Sequence, residues 1–193
     1  MAKIIVGVLA IQGDFAEHQR SIESLGLEAI QVRTKADLQK CSALIIPGGE
    51  STTIAKLIAD NGIASAISSF AKKGFPVYGT CAGAIVIAKK ILGEKRFRPL
   101  NLIGIEVARN AYGRQVDSFE AEIEVKGAGK MNVVFIRAPV ITKIGKGVEV
   151  LASFEGKPVL VTHKNVLAGT FHTELGENTK LHSLLAKMAK GKN

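Results

Sequence analysis

The stretch Val77-Tyr78-Gly79-Thr80-Cys81-Ala82-Gly83-Ala84 carries the densest chemical signal in the chain. An apolar strand runs into Gly-x-Cys-x-Gly and a helix starts behind it, the pattern of a nucleophile elbow with cysteine in place of serine. The two glycines relieve crowding where the nucleophile is held on a sharp turn. A helix N-terminus behind Cys81 favours the thiolate, the reactive form of the side chain. The backbone N–H of Ala82 is then expected to face a developing oxyanion. The competing reading is a buried structural cysteine in a glycine-rich turn. Cys41 has no such surroundings and reads as a small, partly buried hydrophobe.

A cysteine nucleophile needs a base, and the chain offers His18, His163, His172 and His182. His172 ends an apolar strand in Phe171-His172-Thr173-Glu174. If the strand continues, its period of two puts His172 and Glu174 on one face. A carboxylate there fixes the imidazole tautomer and favours its protonated form. His18 lies in a polar amphipathic helix and His182 in the last helix, and both read as surface or packing residues. His163 has no adjacent carboxylate. Zinc is a weak competitor, because the sequence has no Cys-x-x-Cys or His-x-x-x-His pair.

Pro47-Gly48-Gly49-Glu50-Ser51-Thr52 is a second glycine-rich strand-to-helix turn. It lacks the Gly-Lys-Ser/Thr of a phosphate-binding loop; its exposed N–H groups suit a carboxylate or an oxyanion hole, and the competing reading is a plain tight turn. Arg109 and Arg137 each follow an apolar strand, where a guanidinium can capture a carboxylate in bidentate fashion; the competing reading for each is a surface ion-pair residue.

The elements that must position these residues alternate in the first half. Strands are expected over 4–11, 29–32, 43–46 and 75–79. Helices are expected over 15–25, from a Ser51 or Thr52 cap to 60, over 63–73 and over 84–92. That rhythm predicts a mostly parallel sheet with helices on both faces. The second half reads as short strands over 103–107, 119–125, 133–136, 148–154, 158–163 and 166–171, with a hairpin turn at Lys164-Asn165 and a final helix over 179–188. The expectation is one domain over 1–193, with a central sheet carrying an antiparallel extension.

Composition bounds the function. The 193 residues include 26 Lys+Arg against 17 Asp+Glu, a net charge of +9. The basic residues are spread along the chain, bunching only at 89–98 and 187–192. With no Trp and two Tyr for stacking bases, a solvated basic surface or an acidic protein partner is favoured over nucleic acid. Two cysteines cannot make a disulfide framework. The apolar N-terminal run is strand length and lacks a cleavage pattern, and no segment approaches the roughly 18 apolar residues of a membrane span. A cytoplasmic protein bound to neither membrane nor nucleic acid is the expectation.

Together, Gly79-Thr80-Cys81-Ala82-Gly83 and Phe171-His172-Thr173-Glu174 resemble the class I, triad-type glutamine amidotransferases. The similarity is greatest to the glutaminase subunits of pyridoxal 5′-phosphate synthase. It runs from Gly7-Val8-Leu9-Ala10-Ile11-Gln12-Gly13 through 47–53 and the elbow to Arg109-Asn110-Ala111-Tyr112-Gly113-Arg114-Gln115-Val116-Asp117-Ser118-Phe119, then 135–139 and 171–175. The Arg-Asn…Gly-Arg-Gln…Ser-Phe block is its most specific part. The resemblance implies a three-layer, flavodoxin-like α/β fold. It implies Cys81 as nucleophile, His172 as base and Glu174 as its orienter. L-glutamine would lie against Gly49, Glu50, Ser51, Arg109, Ile136 and Arg137, with an oxyanion hole from the N–H groups of Gly49 and Ala82. It implies no metal and no cofactor, and a separate synthase subunit that takes the ammonia. Thr173 stands where the family usually has Pro, and Ala108 where it usually has Glu. The alternatives are another Cys-elbow hydrolase, peptidase or chaperone-like, and a non-catalytic module that binds a small anion or a partner.

Overall fold

The computed structural model describes residues 3–109, 118–176 and 178–191. The first half alternates as its sequence rhythm requires: β1 (Ile5–Leu9), α1 (Phe15–Glu23), β2 (Glu28–Val32), α2 (Lys35–Gln39), β3 (Ala43–Ile46), α3 (Ser51–Asp60), α4 (Ile63–Lys72), β4 (Val77–Thr80) and α5 (Ala82–Ile87). There follow β5 (Ala88–Ile91), β6 (Ile103–Ala108), β7 (Ser118–Val125), β8 (Gly129–Ile136), β9 (Val140–Ile144), β10 (Glu149–Phe154), β11 (Lys157–His163), β12 (Val166–Gly169) and α6 (Lys180–Lys190).

Among the described residues, seven strands form the central sheet in the order β10-β11-β12-β4-β3-β1-β2. The five from β12 to β2 run parallel, and β11 and β10 add the antiparallel extension. All four residues of β3 and of β4 are buried, as strands covered on both faces demand. The period of two then divides each strand between two cores. Leu9, Val32, Leu44, Ile46 and Val77 face the layer of α3, α4 and α5. Val6, Val8, Ala43, Ile45 and Tyr78 face α1, α6 and the β7–β8 hairpin. The result is the three-layer arrangement with helices on both faces. Among the described residues no helix is long and apolar enough to cross a membrane.

Some local readings differ from the sequence expectation, while the expected Lys164-Asn165 hairpin turn is present. The helix expected over 84–92 stops at Ile87, and the chain continues as β5, paired parallel with β6. Residues 84–88 are all buried, so their apolar run has no amphipathic period to mark the boundary. The short helix α2 and the strand β9 have no counterpart in that expectation. The former is fixed by a capping box between Thr34 and Asp37 rather than by periodicity. Helix α3 is capped not by Ser51 or Thr52 but by Glu50, whose carboxylate accepts from the N–H groups of Thr52 (3.1 Å) and Thr53 (2.6 Å). In the β11–β12 turn it is Lys164 that takes the positive φ of 54°. Asn165 instead donates its amide to the carbonyls of Ala71 and Phe75, pinning the end of α4.

Candidate active site

In a parallel sheet the C-terminal strand ends share one edge, and ligands bind there. β1 delivers Gln12 and Asp14 to that edge, β3 delivers the Gly48-Gly49-Glu50 turn, β4 delivers Cys81, and the chain beyond β12 delivers His172. These side chains open onto one cavity of about 490 Å³, lined by Gln12, Asp14, Gly49, Glu50, Ser51, Cys81, Ala82, Ile85, Arg109, Ile136, Arg137 and His172. That is roomy enough for a small ligand.

Cys81 is a non-glycine residue with φ 47°, the strained elbow expected of a nucleophile held on a tight turn. The crowding is measurable. A Cβ on Gly83 would lie 1.9 Å from the Ile46 carbonyl oxygen, and one on Gly79 would lie 2.7 Å from the Gly83 backbone. Only glycine fits either place. The Cys81 N–H donates to the Gly169 carbonyl (2.8 Å), so β12 ties the elbow down from its far side. The thiol lies 3.8 Å from the Ile136 carbonyl oxygen.

Strand β12 ends at Gly169, so the two-residue alternation does not place His172. An isolated antiparallel bridge to Val134 does so instead, the His172 N–H donating to the Val134 carbonyl at 2.7 Å. The expected pairing with Glu174 is present all the same, Nδ1 to Oε1 at 2.6 Å, with both side chains buried. Asp14 Oδ2 is farther from the same nitrogen, at 3.6 Å. Burial pushes His172 toward its neutral form, but hydrogen bonds to Cys81 and Glu174 and their charges outweigh it, and its pKa is pushed up to about 10. The imidazolium therefore dominates at neutral pH. The ring packs over Gly48, where a Cβ would come within 2.4 Å of Cε1.

The Gly49 turn has φ 141° and is clamped by Gln12, whose Oε1 accepts from the Glu50 N–H at 2.9 Å. Partial burial raises the Glu50 pKa, but the N–H groups and hydroxyls of Thr52 and Thr53 outweigh that and hold it down at about 2. Arg109 donates to Glu94 (2.7 Å), Glu50 (3.0 Å) and Thr52 (3.1 Å). Arg137, at the strained φ of 40°, is exposed and pairs with no carboxylate among the described residues. The Ser51 hydroxyl is buried and has no hydrogen-bond partner there.

The cavity thus gathers every candidate residue except Glu174, which stands directly behind His172. Residues 110–117, the centre of the Arg-Asn…Gly-Arg-Gln block, lie outside the described residues. His163 is excluded by topology: β12 runs parallel to β4 with Val166 opposite Val77 and Gly169 opposite Thr80, so His163 sits at the strand end remote from Cys81. Asp14, His172 and Glu174 are the one group among the described residues with metal-ligand atoms within 4.8 Å of one another, but the His172–Glu174 hydrogen bond already uses two of them. Sequence reasoning missed Gln12 and Asp14 as lining residues. The signal was their place directly after β1, on the edge where β3 and β4 also end. It also left unused the buried His18 and His182, although the apolar neighbours Ile22, Leu181 and Leu185 mark the inward faces of their helices.

A strained cysteine elbow and a buried His–Glu pair thus meet at the C-terminal edge of this three-layer sheet. The sequence profile of the SNO glutamine amidotransferase family matches residues 8–190, and the chain belongs to that family. A similar protein from Thermus thermophilus, named pyridoxal 5′-phosphate synthase subunit PdxT, is 49% identical over 96% of this chain and 97% of its own. A protein of the same name from Dehalococcoides mccartyi is 50% identical over the same shares. A solved structure described as a glutamine amidotransferase superposes with a TM-score of 0.93 at 49% identity, covering 96% of this chain and 98% of that one. A glutamine amidotransferase from Thermotoga maritima shares the fold at 15% identity, with a TM-score of 0.63 over 100% of this chain and 86% of that one.

Proposed function

We propose that this chain is the glutaminase of a pyridoxal 5′-phosphate synthase, converting L-glutamine and water to L-glutamate and ammonia, and that it delivers the ammonia to a separate synthase subunit. The observation that carries the reading is the His172–Glu174 pair, 2.6 Å apart, with His172 lining the same cavity as a cysteine held at φ 47°. The names of the relatives, each a subunit of that synthase, support the partner.

Cys81 Sγ attacks the carboxamide carbon of glutamine, and the carbonyl oxygen becomes an oxyanion received by the N–H groups of Gly49 and Ala82. His172, already protonated, gives its proton to the amide nitrogen as the C–N bond breaks and ammonia leaves. A thioester remains on Cys81. His172, now neutral, takes a proton from water, the hydroxide adds to the thioester, and glutamate departs as the Cys81 sulfur is released. Glu174 holds the imidazole tautomer throughout. Arg137 is the guanidinium available for the substrate α-carboxylate, while Arg109 braces Glu50 and the turn before α3. The Ser51 hydroxyl is left to meet a polar group of the substrate. No cofactor enters the scheme. Two unpaired cysteines suit a reducing compartment, and we assign the protein to the cytoplasm.

Ammonia release from glutamine, with and without the synthase subunit, tests the reading. The wild type should release ammonia, more of it when the synthase is present, and Cys81→Ala should release none while keeping its circular dichroism spectrum. Ammonia release by Cys81→Ala within a few-fold of wild type would rule out covalent catalysis by this residue.

A further inference from the structure

The proposed triad does not end at Glu174. One oxygen of that carboxylate, Oε1, bonds to His172. The other, Oε2, is buried and lies 3.3 Å from Nε2 of His18, a close contact off the line of a full hydrogen bond. No described residue, His18 included, gives Oε2 a full hydrogen bond, so the contact with His18 is an electrostatic one. His18 comes from α1, and its side chain, like that of Glu174, is wholly inaccessible to solvent. Its Nε2 is also 3.2 Å from the hydroxyl of Thr80, the residue before Cys81. Its Nδ1 is 2.9 Å from Nε2 of His182 on α6.

The tautomers follow from this arrangement. An ionised carboxylate only accepts, so the nitrogen of His18 that faces it carries the hydrogen. Nδ1 of His18 is then an acceptor, and the His182 Nε2–H donates to it. That leaves His182 Nδ1 as a bare lone pair, in keeping with its lack of a partner among the described residues. Burial, with smaller effects from the neighbouring imidazoles, holds His18 well below the ordinary imidazole pKa, and burial holds His182 down at about 4. Both are neutral where the His172 imidazolium needs its carboxylate anionic.

On the reading that Cys81, His172 and Glu174 form the triad, we infer that His18 is a positioning residue, whose Nε2–H, set in orientation by His182, supports the second oxygen of Glu174 so that the first faces His172. The same imidazole touches the nucleophile strand through Thr80. It therefore fixes the carboxylate and the elbow relative to each other from a third element. A buried carboxylate oxygen with no donor at all would be free to rotate away from His172 or to take up the imidazolium proton.

The test compares His18→Leu, His18→Gln and Glu174→Gln in the full chain, assayed for glutamine hydrolysis with the synthase subunit present. A glutamine amide nitrogen reaches the place of the histidine Nε2, whereas leucine offers no donor. His18→Leu should lower kcat by about 10-fold to 100-fold, the range seen when supporting partners of functional imidazoles are removed, with KM changed less than about two-fold. His18→Gln should recover most of that kcat. On a Glu174→Gln background, His18→Leu should cost little more, because it acts through that carboxylate. Should His18→Leu fail to fold, His18→Asn takes its place, since its amide stays on the His182 side and falls short of Glu174. A wild-type kcat in His18→Leu, a loss as large in His18→Gln, or full multiplication of the two losses in the double variant would each overturn the inference. A wild-type kcat in Glu174→Gln alone would instead sink the triad assignment beneath it.

Discussion

Two guanidinium groups reach the cavity, and their surroundings separate them. Arg109 is bound to Glu94, Glu50 and Thr52, while Arg137 meets no carboxylate among the described residues. Arg137→Ala should raise the glutamine KM by about 10-fold or more, the worth of one lost charge-assisted contact, and leave alkylation of Cys81 by small haloacetamides largely intact. An unchanged KM removes Arg137 from substrate recognition. The histidines make a second prediction, in opposite directions. His172 has a pKa raised to about 10, so its stabilising contribution is full below about pH 6.5 and is lost as pH rises through that raised value. His182 is held down at about 4, so the fold loses stability as pH falls from about 6.5 toward that value, by about 3 kcal/mol at the lower end. Denaturant melts across that acid range should show a loss in the wild type that is smaller by about that amount in His182→Gln, the part due to the buried His18 remaining in both. An equal loss in both would mean that the buried imidazole takes up its proton within the fold. At this scale the sequence exposed Cys81, His172 and Glu174 because each stands in a short motif. It could not expose His18, which reaches Glu174 only through the packing of α1 against α6.

Elements set how finely these side chains are held. The elbow is tight because Gly79 and Gly83 pack on each other and Gly83 packs on the end of β3. Gly83→Ala places a methyl group 1.9 Å from the Ile46 carbonyl oxygen, so β3 and α5 must separate. A shift of about 1 Å at a reacting group can cost on the order of 100-fold in rate, and glutamine turnover in Gly83→Ala should fall by at least that much. Retention of more than a tenth of the wild-type kcat would show that the elbow tolerates the displacement. These glycines were legible as crowded positions from Gly-x-Cys-x-Gly alone, and the apolar strands β1 and β3 were legible from their composition. The route from α5 into β5 was not, because a run buried on every side has no period to read. Nor was the placing of His172, which depends on a bridge to Val134, far away in sequence.

In the central sheet, among the described residues, the two halves of the chain meet at β12. β12 lies between β4 and β11, and both hydrophobic cores draw residues from either side of it. We expect the chain to unfold as a single domain, with far-ultraviolet circular dichroism and tyrosine absorbance giving coincident denaturant transitions. A separate early transition of the 118–136 hairpin or the antiparallel edge would divide it. The alternation of the first half foretold the parallel sheet, but nothing local told β12 to return beside β4, because partner choice between distant strands is decided by the assembled core. That return has a consequence for the order of events during synthesis. Until Val166–Gly169 leaves the ribosome, the strand bearing Cys81 has an open flank, its elbow lacks the Gly169 carbonyl, and no imidazole stands over the sulfur. On the proposed triad, a nascent chain that has not yet released residues 166–174 holds Cys81 without its base and should leave cellular glutamine untouched, the capacity arriving only when that late segment is laid down beside β4.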